Sequence, residues 1–124
     1  IEKINSVIDE GRVTMTPYYY MAGSGLNWHN DRRHEKAFTF YCHQRWSPEW
    51  GGEFQTLDLK GEDKKMIWKV FDNKELFDAM IDRGIGQFFH PKPNRLIINS
   101  DIMHKINTTS TDSSARLSLQ GFIA

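Results

Sequence analysis

The chain has 124 residues, 39% of them hydrophobic and 13% aromatic, which is enough apolar mass for one core and argues for a single domain (1–124) rather than disorder. Sixteen basic side chains balance sixteen acidic ones, so charge gives no general pull toward nucleic acid or an anionic membrane. The apolar runs are too short to span a bilayer, no basic-then-apolar leader is visible, and the single Cys42 excludes an internal disulfide, which together predict a reducing, cytoplasmic setting.

Ile1, Ile4, Val7 and Ile8 follow helical spacing and Gly11 ends the pattern, which reads as the tail of a longer helix. Val13 to Met21 contains Tyr18-Tyr19-Tyr20 and favours strand. The small-residue turn Ala22-Gly23-Ser24-Gly25 leads into Leu26 to Asp31, where an extended chain turns His29 and Asp31 one way and Trp28 and Asn30 the other. The charged run from Asp31 to Lys36 reads as a solvated loop, His34 included.

Ala37 to His43 is a strong strand with Phe38, Phe40 and Cys42 on one face and Thr39, Tyr41 and His43 on the other. Bulk on both faces predicts a central, covered strand and a buried, inert thiol. Ser47 to Gly52 is a turn. Trp46 and Trp50 are large for it and are expected to pack it onto the sheet, with substrate contact as the alternative.

Glu53 to Leu59 resumes as strand, and Gly61 to Lys65 reads as a polar turn. Met66 to Phe71 is ambiguous. Asn73 caps a helix over Lys74 to Arg83, whose stripe of Leu76, Phe77, Met80 and Ile81 should face the core, with a lid or dimer contact as the alternative. Gly84 and Gly86 end it, His90 is expected in solvent, and Pro91 to Asn94 is a stiff turn. Arg95 to Ser100, His104 to Ile106 and Ala115 to Phe122 complete a set of seven or eight short strands with one or two helices. That density suggests a β-sandwich or rolled double sheet.

Two imidazoles and one carboxylate hold a metal from one side and leave its other positions open, and His29, Asp31 and His104 are candidates for that set. Arg116, on the last strand, shares a face with Ser118, Gln120 and Phe122. An inward guanidinium is unfavourable unless an anion meets it, and no carboxylate is placed in the sequence to do so. A bound dicarboxylate would, with help from the Tyr41 hydroxyl, while a keto acid at its near end chelates the metal.

At this point the chain resembles the prolyl-4-hydroxylase-like 2-oxoglutarate/Fe(II) dioxygenases. The matching text is Tyr19, then Gly23-Ser24-Gly25-Leu26-Asn27-Trp28-His29-Asn30-Asp31, Thr39-Phe40-Tyr41 and Trp46-Ser47-Pro48-Glu49-Trp50-Gly51-Gly52-Glu53-Phe54. It continues with Pro91-Lys92-Pro93-Asn94-Arg95-Leu96-Ile97-Ile98, His104-Lys105-Ile106 and Arg116-Leu117-Ser118-Leu119-Gln120-Gly121-Phe122.

The resemblance implies a mainly β double-stranded β-helix (jelly roll) with one or two peripheral helices. It implies iron ligation by His29, Asp31 and His104, a 2-oxoglutarate pocket of Arg116 and Tyr41, and Tyr19 as a pocket aromatic. Its cofactors would be Fe(II), 2-oxoglutarate and dioxygen, with ascorbate as a further candidate. Its chemistry is oxidative decarboxylation to succinate and carbon dioxide coupled to attack on a C–H bond.

Three departures stand out. His43 replaces the asparagine common in the family and, sharing Tyr41's face, is a candidate contact to cosubstrate or substrate. Met66 to Phe89 is longer than in the simplest members, and the usual N-terminal helices are mostly missing here.

The expected substrate is a prolyl residue in a peptide or protein. A free amino acid or other small molecule is the alternative, and a nucleic-acid demethylase or a non-catalytic binding module ranks behind both. Oligomeric state is not legible.

Overall fold

A computed structural model describes residues 13–31, 36–100 and 102–123. The helix expected over Ile1 to Ile8, most of the charged segment after Asp31, and His34 lie outside these residues.

Eight strands form two four-stranded sheets. They are β1 (Val13–Tyr20), β2 (Leu26–His29), β3 (Lys36–Tyr41), β4 (Phe54–Asp58), β5 (Ile85–Phe89), β6 (Leu96–Asn99), β7 (Met103–Ile106) and β8 (Arg116–Ile123). One sheet runs β1-β8-β3-β6 and the other β2-β7-β4-β5, with every pairing antiparallel. Successive strands therefore alternate between sheets for much of the chain, as in a jelly roll, and β3 is central as its two bulky faces predict.

The register sets what faces the space between the sheets. Tyr41 pairs with Ser118 and Thr39 with Gln120 across β3 and β8, and Tyr20 pairs with Arg116 across β1 and β8. Directly opposed residues in an antiparallel pair point the same way, so these side chains share the inner face. In the second sheet His29 pairs with His104, and His104 with Thr56. Leu26 pairs with Ile106, so three steps along β2 match two along β7. The extra residue is a bulge that lets both Leu26 and His29 face inward.

The outer face of this second sheet carries its own apolar cluster. Leu57, Leu59 and Met103 meet Ile67, Val70 and Met80, with Trp28, Trp68, Phe77 and Ile81 packed alongside. Two helices, α1 (Glu62–Met66) and α2 (Lys74–Arg83), and the turn between them bring the non-sheet groups there. Asn73 caps α2 as expected, its side chain accepting from the Leu76 amide at 3.2 Å. Of the α2 stripe, Phe77, Met80 and Ile81 pack inward and Leu76 is exposed. Among the described residues no helix is long and apolar enough to cross a membrane.

Several sequence expectations are corrected. The stretch read as a polar turn at Gly61 to Lys65 forms the cap and most of α1. Its acidic start (Glu62, Asp63) and basic end (Lys64, Lys65) complement the helix dipole, and Arg83 of α2 donates two hydrogen bonds to Asp63, both at 2.9 Å. The glycines at 84 and 86 end α2 but also open β5, where a Cβ on Gly86 would collide with the Thr56 carbonyl. Cys42 is exposed, not buried, because β3 stops at Tyr41 and the cover over its outer face thins from Phe38 to Cys42. His90 is half-buried rather than solvated, with its ring against Phe88.

Candidate active site

The His29 and His104 rings lie side by side, with centroids 4.2 Å apart, and Asp31 follows just beyond the end of β2. One ligand atom from each of the three falls within 4.8 Å of the others. Nε2 of His104 is 3.3 Å from one Asp31 carboxylate oxygen, and Nε2 of His29 is 3.9 Å from the other.

The partners of the opposite ring nitrogens decide what this means. Nδ1 of His29 lies 2.7 Å from the Asn27 carbonyl, and Nδ1 of His104 lies 2.9 Å from the Ile102 carbonyl. A carbonyl only accepts, so each Nδ1 carries a proton, and in the neutral ring each Nε2 presents a lone pair. Two lone pairs and a carboxylate aimed at one point repel unless a cation sits among them. The donor set therefore fits a divalent metal, with both imidazoles oriented by backbone carbonyls. Burial, foremost, lowers the pKa of His29, which keeps it in the neutral form that a metal needs. Phe54 stacks on His104 with centroids 5.3 Å apart. Thr39, Gln120 and Phe122 close a cavity of about 50 Å³ around the triad.

Arg116 is wholly buried. Its Nε–H donates to the Gly52 carbonyl and its Nη2 to the Tyr41 hydroxyl, both at 3.1 Å. The guanidinium lies over two rings, 4.9 Å from Tyr41 and 5.3 Å from Tyr20. Nη1 is buried without a hydrogen-bond partner, and no carboxylate among the described residues pairs with the group. Burial lowers the pKa of Arg116, with Tyr41 and Tyr20 opposing, and raises that of Tyr41, with Arg116 opposing. A buried cation with a spare donor is the protein half of an anion site.

Gly52 explains part of this arrangement. Its φ of 73° favours glycine, and a Cβ there would stand 3.3 Å from Arg116 Cδ and 3.0 Å from the Trp46 ring. The paired glycines that end the turn thus let the backbone lie against the guanidinium.

Of the residues singled out from sequence, the structure brings His29, Asp31 and His104 together, and separately Arg116 with Tyr41. Tyr19 is corrected. It pairs with Leu117 on the opposite face of the sheet and is 68% exposed, while Tyr20 takes the place beside Arg116. Nothing in a triple tyrosine tells which member faces inward; the register with β8 decides it.

His43 and Trp46 are buried, with their polar atoms taken up by the protein's own backbone, which places them as bracing groups rather than polar contacts to a ligand. Trp50 is half-buried, edge-on to Trp46 and under Arg45. Thr39, Asn99, Gln120 and Phe122 line the cavity around His29, Asp31 and His104. The strand faces read from sequence already grouped Gln120 and Phe122 with Arg116, but nothing marked them as site residues.

Residues 15–124 match the 2OG-Fe(II) oxygenase superfamily, and the chain belongs to it. No curated protein matches it in sequence. Among solved structures it is similar to a Pseudomonas putida prolyl-4-hydroxylase, with a TM-score of 0.65 and 17% identity over 97% of this chain and 56% of that one. It is also similar to an oxidoreductase of the 2OG-Fe(II) oxygenase family from Burkholderia pseudomallei, with a TM-score of 0.64 and 14% identity over 99% of this chain and 49% of that one. The chain thus spans about half the length of these two proteins, and at such identities the likeness shows the fold: the two sheets form the mainly β jelly roll of this superfamily.

Proposed function

We propose that this protein is a 2-oxoglutarate- and Fe(II)-dependent hydroxylase acting on a C–H bond, most simply that of a prolyl residue in a peptide or protein. The single observation that carries the reading is the buried Arg116, short of an anion, in the same jelly roll as two imidazoles and a carboxylate that converge on one point. Asp31 offsets only part of a divalent ion's charge, and Arg116 adds another positive charge. A dicarboxylate dianion neutralises what is left.

Each residue then has a defined task. His29, Asp31 and His104 hold the metal, and the backbone carbonyls of Asn27 and Ile102 keep the two imidazoles in the required tautomer. Arg116 and the Tyr41 hydroxyl take the distal carboxylate of the keto acid. Phe54 and Phe122 limit water around the reacting centre. Bound iron supplies dioxygen activation coupled to decarboxylation of the keto acid.

The case for a peptide comes from the mouth. A wider cavity of about 270 Å³ shares Phe54 and Asn99 with the metal cavity, and its inward residues include Thr56, Gln87, Phe89 and Ile97. None of its lining side chains is charged. A free amino acid brings an ammonium and a carboxylate, and a nucleic acid brings phosphates; this lining answers neither. Amides at Gln87 and Asn99 suit a peptide backbone. The resemblance to a bacterial prolyl-4-hydroxylase supports the same substrate class. The free, exposed thiol of Cys42 is in keeping with a reducing, cytoplasmic setting.

The test is succinate release from 2-oxoglutarate with Fe(II) in the presence of proline-containing peptides, free amino acids or methylated oligonucleotides. Stimulation by peptides alone is the expected result. Stimulation by a free amino acid or an oligonucleotide replaces the substrate, and no stimulation by any of them despite bound iron favours a binding module.

A further inference from the structure

His43 has no part in the proposed chemistry, yet it is 5% exposed and both ring nitrogens are engaged. Nε2 faces the Pro91 carbonyl, so it carries the proton. Nδ1 accepts from the backbone N–H of Leu117 at 3.2 Å. Only the neutral Nε2–H tautomer makes both bonds.

What the ring touches links these bonds to Arg116. It stacks on Tyr41, with centroids 5.7 Å apart, and lies 4.7 Å from Trp46. Tyr41 accepts one guanidinium hydrogen bond through its hydroxyl. Trp46 donates to the Gly51 carbonyl at 2.9 Å, next to Gly52, whose carbonyl accepts the other. Leu117, held by His43, directly follows Arg116 in the chain. Both protein partners of the guanidinium and the backbone beside it thus rest on one imidazole.

We propose that His43 is a positioning residue for Arg116. Its two hydrogen bonds clamp the start of β8 to the turn at Pro91, and its ring backs Tyr41 and Trp46, so that Nη1 stays aimed at the distal carboxylate. This rests on the assignment of Arg116 to 2-oxoglutarate. A group that orients a binding residue lowers affinity when removed, without touching the ligand.

The experiment uses Mn(II)-loaded protein titrated with 2-oxoglutarate by calorimetry. Steady-state succinate formation with Fe(II), measured as the 2-oxoglutarate concentration is varied, gives KM and kcat alongside. His43→Phe keeps a packed ring but loses both hydrogen bonds. It should weaken 2-oxoglutarate about tenfold, the low end for loss of an orienting partner, and raise KM while leaving kcat little changed. His43→Gln retains a neutral donor and acceptor and should recover most of that loss. Met80→Ala, which loosens the outer cluster instead, should lower Tm and leave 2-oxoglutarate affinity alone.

Wild-type affinity in His43→Phe overturns the positioning role. So does a loss that Gln fails to restore, or an equal loss in Met80→Ala. Arg116→Ala separates the two levels: if it too binds 2-oxoglutarate normally, the assignment of Arg116 falls, whereas a weakened Arg116→Ala beside a normal His43→Phe sinks only the positioning role.

Discussion

The two faces of the sheet β2-β7-β4-β5 are made from alternate residues of the same strands, and they do opposite work. Inward it presents His29, His104 and Thr56; outward it presents Trp28, Met103 and Leu57. The inner face gathers polar groups that are short of a cation at one point, an arrangement that a ligand completes. The outer face is sealed by apolar side chains of α2 and of the turn between α1 and α2, and needs no ligand. The long segment between β4 and β5 therefore supplies its own core on the far side of the sheet from the proposed chemistry. Strand periodicity lets one short strand serve both purposes.

This contrast can be broken from either side. The largest effect should come from His29→Ala, which removes a proposed metal ligand: iron-dependent succinate formation should vanish while Tm of the metal-free protein changes little. Activity that survives would take His29 out of the ligand set. Arg116→Ala should weaken 2-oxoglutarate by about 2–5 kcal/mol, the usual range for truncating a buried paired charge, or roughly 30-fold to several thousand-fold. Calorimetry with Mn(II)-loaded protein measures it, and an unaltered affinity would count against the anion site.

On the outer face the signs reverse. Leu57→Ala should destabilise the fold by about 2–5 kcal/mol through lost burial and a cavity, with Mn(II) affinity retained in the folded protein. If metal affinity falls in step with stability, the two faces are not independent. A smaller change, Asn73→Ala, removes the α2 cap and should cost about 1 kcal/mol in chemical denaturation, again with no effect on 2-oxoglutarate.

Acidity sharpens the inner side alone. Metal needs neutral imidazole, and burial lowers the pKa of His29 below the ordinary value of about 6.5. Its metal affinity should therefore be flat around neutrality and fall only at pH below that value. In the metal-free protein the same shift means that folding binds fewer protons. The stability it contributes is complete above about pH 6.5 and is lost as pH falls toward the folded pKa. A metal titration in which loss already begins above pH 7 would contradict this.

Much of this architecture was legible in the residues. Alternating bulk marked β3 as central, Asn73 and the spacing behind it marked α2, and His29, Asp31, His104, Tyr41 and Arg116 stood out by residue type. What was not legible depended on pairing. The family resemblance points to Tyr19, yet Tyr20 is the one beside Arg116, because a strand's parity is invisible until it has a partner. β5 was missed because its glycine reads as a helix end, although it is glycine that allows close approach to β4. Cys42 and His90 were misplaced because burial depends on what other segments cover.

The sequence alone determined the inventory: one small domain of short strands, its turns, a capped helix, and the side chains able to hold a metal and an anion. These follow from local rules of periodicity, capping and residue chemistry, which act over a few positions. The tertiary structure decided which of those side chains meet. A bulge in β2 turns Leu26 and His29 to the same side, the register of β8 against β1 and β3 places Tyr20 and Tyr41 over Arg116, and the 59–84 segment goes to the outer face. A slip of one residue in any of these pairings would reverse every side chain along the strand, and no local rule sets that register.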